Sequence, residues 1–133
     1  MISWSKCAHL PPWWTSMSGE VLAHLQQALP NEAAGLVMAR SDYIFFYKLP
    51  VLATRVAFQL TPDHVLKLGT RLAENGEVIL STVHSHPNGR LGMSALDGSL
   101  AWWSNDHLLV SFDLVTTSHV ISFYKSQLLW PDG

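Results

Sequence analysis

The stretch His84-Ser85-His86-Pro87-Asn88-Gly89-Arg90-Leu91-Gly92-Met93-Ser94-Ala95-Leu96-Asp97 brings two imidazoles and a carboxylate into one short segment. The run Glu77-Val78-Ile79-Leu80-Ser81-Thr82-Val83 before it reads as a strand that delivers His84. Residues i and i+2 of a strand share a face, so His84 and His86 point the same way if the strand continues through them. Pro87 favours that outcome, because it drives the preceding residue toward extended backbone. The turn-rich Asn88-Gly89-Arg90-Leu91-Gly92 lets the chain double back. Ser94-Ala95-Leu96-Asp97 then has the layout of a capping box with Asp in place of Glu, predicting a short helix to about Trp103. Asp97 therefore sits in a first helical turn, within reach of the two rings.

Two imidazoles and a carboxylate suit one zinc ion per chain, and three protein ligands leave a fourth position for water, the pattern of a catalytic site. Metal binding lowers the pKa of such a water from 15.7 to about 7. Hydrolysis also needs a base. Glu32, in Pro30-Asn31-Glu32-Ala33-Ala34-Gly35, is the candidate: it is expected to begin a strand in apolar surroundings, where burial would raise its pKa into the working range. Ser94 can donate its hydroxyl to a developing oxyanion. Ser85 reads either as a plain strand hydroxyl or as a group that orients the site from behind the ligands.

Farther out, Val21, Leu22, Leu25 and Leu29 recur at helical spacing behind N-cap candidates Thr15, Ser16 and Ser18, and Pro30 stops that helix. Residues 1–14 read as irregular. Gly35–Ala39 and Tyr43–Tyr47 read as strands joined by a turn at Arg40-Ser41-Asp42, and a third strand is expected from Arg55 to Leu60. Thr61-Pro62 opens a second helix with a buried stripe of Val65, Leu66, Leu68, Leu72 and Ala73, ended by Asn75-Gly76. A last strand pair, His107–Leu114 and His119–Lys125, flanks Thr116-Thr117-Ser118. This order predicts an α/β (α+β) sandwich in one domain spanning residues 1–133.

The 133 residues carry a net charge of −2, so no basic footprint supports nucleic-acid binding. No apolar run reaches the roughly 18 residues that a membrane span needs. The N-terminal residues do not read as a signal peptide, and one cysteine, Cys7, allows no internal disulfide, so a cytoplasmic location is expected. Cys7 lacks a CxxC partner and is not read as a ligand, nor are His9, His24, His64, His107 and His119, which lack convergent partners. Trp102 and Trp103 are adjacent on the predicted short helix and cannot both face the core. The tryptophans are otherwise expected in core or homodimer packing. Tyr43–Leu60 is expected to form a flap to which an extended peptide could add as a strand.

Glu32, His84-Ser85-His86-Pro87, seven residues from Pro87 to Met93, and Ser94-x-x-Asp97 together resemble the pattern of the JAMM (MPN-plus, JAB) metalloproteases. Met93 departs from the proline that many relatives carry there. The resemblance implies the JAMM/MPN fold from about residue 16 to 125, a mixed curved sheet flanked by helices and similar to cytidine deaminases. It implies zinc held by His84, His86 and Asp97, with Glu32 and Ser94 catalytic. The implied reaction is peptidase or isopeptidase cleavage at the C-terminal tail of a ubiquitin-like protein. The chain looks like a stand-alone prokaryotic member, some of which serve anti-phage operons beside E1- or E2-like enzymes. Alternative readings are a peptidase acting on a sulfur carrier or a phage or cell-wall peptide, or a scaffold without turnover.

Overall fold

A computed structural model describes residues 2–129. The strands are β1 (Ile2–Lys6), β2 (Ala34–Arg40), β3 (Tyr43–Leu49), β4 (Val51–Ala53), β5 (Phe58–Leu60), β6 (Val78–His86), β7 (Asp106–Phe112) and β8 (His119–Leu128). Helices α1 (Trp14–Ala28) and α2 (Pro62–Asn75) and a 3₁₀ helix (Ala95–Trp102) complete the α+β architecture. Six strands form one mixed sheet in the order β1-β8-β7-β6-β2-β3. Among the described residues only β6 and β7 pair in parallel, and the 3₁₀ helix lies in the crossover between them. β4 and β5 form a separate two-stranded hairpin.

Strand alternation sends side chains to two cores. On one face Val37, Phe46, Val83, Leu108, Val110, Phe112 and Phe123 pack with Val21 and Leu25 of α1. On the other, Ala34, Leu36, Met38 and Leu49 meet Leu68 of α2, with Phe58, Leu60 and Trp103 at the margin. Each fully buried leucine of this kind contributes about 1.5–3 kcal/mol. Gly35 permits the β2–β3 approach: a Cβ there would lie 2.3 Å from Phe46 Cζ and 3.0 Å from the Tyr47 carbonyl oxygen.

Several boundaries differ from the sequence expectation. Ile2–Lys6 is a strand, not irregular, because it pairs antiparallel with β8 from Ile2↔Leu128 to Lys6↔Tyr124. α1 begins at Trp14 with Trp13 as a cap lacking a side-chain bond, so Thr15, Ser16 and Ser18 lie inside the helix. There the Ser16 hydroxyl donates to the Trp13 carbonyl instead. The expected strand from Arg55 shrinks to Phe58–Leu60, since Thr54 Oγ1 accepts from the Val56 and Ala57 N–H groups and folds 54–57 into a turn. In α2, Thr61 caps and Gly76 closes in the left-handed region, but Val65, Leu66 and Ala73 of the expected stripe are exposed because only the Leu68 and Leu72 side of the helix packs on the sheet.

Candidate metal centre

β6 is central, bonded to β2 on one side and β7 on the other. His84 lies between Ala34 and Leu109, and His86 stands opposite Ser111. Both rings project from one face and are fully buried, with centroids 4.9 Å apart. The 3₁₀ helix supplies the third group. Asp97 Oδ1 lies 3.3 Å from His84 Nε2, and Oδ2 lies 3.2 Å from His86 Nε2. One ligand atom from each of the three residues falls within 4.8 Å of the others.

Asp97 is held in place by the predicted capping box. The Ser94 N–H donates to Oδ2 at 2.8 Å and the Ser94 hydroxyl donates to the same oxygen at 3.1 Å. Burial would push the Asp97 carboxyl up, but the contacts with His84 and His86 and the Ser94 N–H outweigh it and hold it well below the usual carboxylate range. Burial pushes His84 down, against the pull of Asp97, and so favours the neutral, ligating ring. On its far side, the His86 Nδ1–H donates to the Arg90 carbonyl at 3.1 Å, which fixes the tautomer and leaves Nε2 for a cation.

Glu32 lies two residues before β2, so it does not begin the strand as expected. Its backbone N–H donates to the Thr54 carbonyl at 2.7 Å, tying it to the β4–β5 hairpin. The next residue is clamped to β6: Ser85 Oγ accepts the Ala33 N–H at 2.9 Å and the Ser85 N–H donates to the Ala33 carbonyl at 3.0 Å. Burial pushes the Glu32 carboxyl up to about 7, with Asp97 adding to the rise and His86 and Arg90 opposing it. Arg90 Nη2 approaches Glu32 Oε2 at 3.7 Å. Ser85 faces away from the histidines, on the α1 side of the sheet. Replacing it, Ser85→Ala, is expected to leave the buried Ala33 N–H unpaired and to cost about 1–3 kcal/mol, read by chemical denaturation.

These residues fit a metal ion. Among the described residues, both ring nitrogens of His84 and both carboxylate oxygens of Glu32 are buried without a hydrogen-bond partner. Native proteins rarely leave such groups unsatisfied, and a cation on His84 Nε2 with its solvent near Glu32 would satisfy three of these four atoms. The donor set, two nitrogens and a carboxylate, suits zinc.

Two residues near the centre have roles that the sequence did not disclose. Arg90 is one. The other is His107, which is buried. It hydrogen-bonds Thr82 Oγ1 at 2.6 Å and Ser126 Oγ at 2.8 Å, with Trp4 edge-on at 5.0 Å. Burial pushes it down to about 4, and it ties β6, β7, β8 and β1 together as a neutral ring. Its partners come from strands far apart in the chain, so no local pattern announces it. His24 bonds the Ala34 carbonyl, His64 bonds Thr61, and neither joins the ligand group. Phe58 packs 5.9 Å from the His84 ring and also lines a groove of about 370 Å³ with Leu49, Leu60, Val65, Leu100 and Trp103. Trp102 is 86% exposed at its rim while Trp103 packs inward.

The family described as prokaryotic homologs of the JAB domain matches residues 15–126. Among solved structures, the chain is similar to the solution structure of protein DSY2949 from Desulfitobacterium hafniense. The two share 31% identity over 84% of each chain, with a TM-score of 0.58. No curated protein matches the chain significantly.

Proposed function

The chain belongs to the prokaryotic homologs of the JAB domain, and from that premise we propose that it is a zinc-dependent metallo-(iso)peptidase acting on the C-terminal tail of a ubiquitin-like protein. The observation that carries the reading is the convergence of buried His84, His86 and Asp97 beside an unbonded, buried Glu32 carboxylate. Those three residues would hold zinc, which when bound supplies Lewis acidity and a water of lowered pKa.

The chain's own groups supply the remainder. Glu32 takes a proton as the new C–O bond forms and returns it to the nitrogen as the C–N bond breaks. Ser94 can turn its hydroxyl from Asp97 toward the developing oxyanion, while its backbone N–H keeps the carboxylate in place. The apolar groove that shares Phe58 with the site offers an extended tail a path to the reacting bond. E1- or E2-like enzymes encoded nearby would be the natural partners of such an activity. Among the described residues no helix is long and apolar enough to cross a membrane.

The test is a ubiquitin-like protein carrying a C-terminal extension, incubated with zinc-loaded protein. The expected result is release of the extension, loss of turnover with a chelator, and recovery on adding zinc. Failure to cut any ubiquitin-like fusion or conjugate, with zinc content at one per chain, would overturn the substrate assignment.

A further inference from the structure

Arg90 lies in the loop between β6 and the 3₁₀ helix, and its backbone is pinned at both ends. Its N–H donates to Asn88 Oδ1 at 3.2 Å. Its carbonyl accepts from His86 Nδ1 at 3.1 Å and from the Ser111 hydroxyl at 2.7 Å. None of these bonds uses the side chain, so the loop does not need an arginine to keep its shape. The guanidinium turns inward instead. Nε and Nη2 are buried and make no hydrogen bond among the described residues. The carboxylate that faces it there is Glu32, at 3.7 Å.

The Arg90 side chain is 32% exposed, yet two of its guanidinium nitrogens are buried without a hydrogen bond, which is costly and needs a reason to persist. The length of this pair supplies one. At 3.7 Å the guanidinium attracts the carboxylate by charge without occupying a lone pair, so both Glu32 oxygens stay free to handle a proton. A shorter, hydrogen-bonded fork would hold Glu32 more tightly but would block it. We propose that Arg90 is a positioning residue for Glu32, acting through charge across a gap that leaves the carboxylate oxygens unbonded. This rests on the proposed hydrolytic role of Glu32.

The experiment is Arg90→Ala assayed on a tail fusion with zinc content measured in parallel. A general base contributes about 10²–10⁴ in rate, and mispositioning it is expected to forfeit about 10–100 of that in kcat, with KM held within about twofold. Millimolar guanidinium should restore turnover by filling the vacated space, and urea, similar in shape but uncharged, should not. Arg90→Lys should fall between, and it serves if the alanine variant does not fold. In zinc-free protein, removing the arginine charge should lower Tm when Glu32 is present and much less when Glu32→Gln is combined with it. Unchanged kcat, rescue by urea as well as by guanidinium, or equal Tm losses in both backgrounds would each overturn the proposal. If the native protein cuts no tail, the hydrolytic reading fails instead, and the zinc-free pair of Tm values still decides whether Arg90 and Glu32 are coupled.

Discussion

Glu32→Gln is expected to lower turnover on a tail fusion by about 10²–10⁴-fold while zinc stays bound at one per chain. Glutamine has nearly the same shape, so the Glu32 N–H bond to Thr54 and the Ala33–Ser85 clamp both survive. What it lacks is a site that can accept and return a proton. The three ligand residues are untouched, which separates loss of the base from loss of the metal. The pH profile carries the same information. Burial pushes the Glu32 carboxyl up to about 7, and a base works only when ionised, so activity should rise with pH across that region. In Glu32→Gln the residual rate should lack that limb. Measurement of kcat and zinc content across pH tests both parts, and full activity in the variant would remove Glu32 from the chemistry.

Asp97→Asn is expected to act at the other end of the site. The amide can still accept the Ser94 N–H, so the 3₁₀ helix keeps its cap. The negative charge facing His84 and His86 is gone, however, and two neutral rings with a neutral amide make a poor cation site. Partners that merely orient metal ligands cost about 10–100-fold in affinity when removed, so losing a ligand charge should exceed about 100-fold. Stability then reports binding. Zinc at a thousand times its Kd stabilises by about 4 kcal/mol, and a hundredfold weaker site at the same concentration gives only about 1.4 kcal/mol. For a domain near this size about 1 kcal/mol moves Tm by roughly 2–8 °C, so the zinc-induced shift should collapse to about a third. A thermal scan with and without zinc measures it. An undiminished shift would show that Asp97 is not a ligand.

The convergence of His84, His86 and Asp97 was legible because its causes are local. Two residues of strand spacing before a proline put His84 and His86 on one face, and a four-residue cap put Asp97 at a helix start. Ser85 could be read only as an alternative, since its partner, the Ala33 N–H, comes from a distant segment. Arg90 was hidden for a similar reason: in sequence it is one polar residue in a glycine-rich turn, and the carboxylate its guanidinium faces, Glu32, comes from a distant segment. β1 shows how tertiary pairing overrides a weak local signal. Ile2-Ser3-Trp4-Ser5 alternates too briefly beside the Pro11-Pro12 breaker to announce a strand, and β8 supplies the partner that makes it one. The first helix boundary failed for a different reason, because its cap is made by backbone at Trp13 and not by the hydroxyls that usually mark such sites.

His84 and Ser85 are neighbours on one strand that look in opposite directions, one toward the ligand cluster and the other toward the Ala33 amide. A single peptide plane therefore serves as the floor of the candidate metal centre and as the buckle of the strap that carries Glu32. Random mutagenesis scored by product formation should consequently return rate-altering substitutions from beneath the sheet, among α1 neighbours such as Val21 and Leu25 that never meet a substrate.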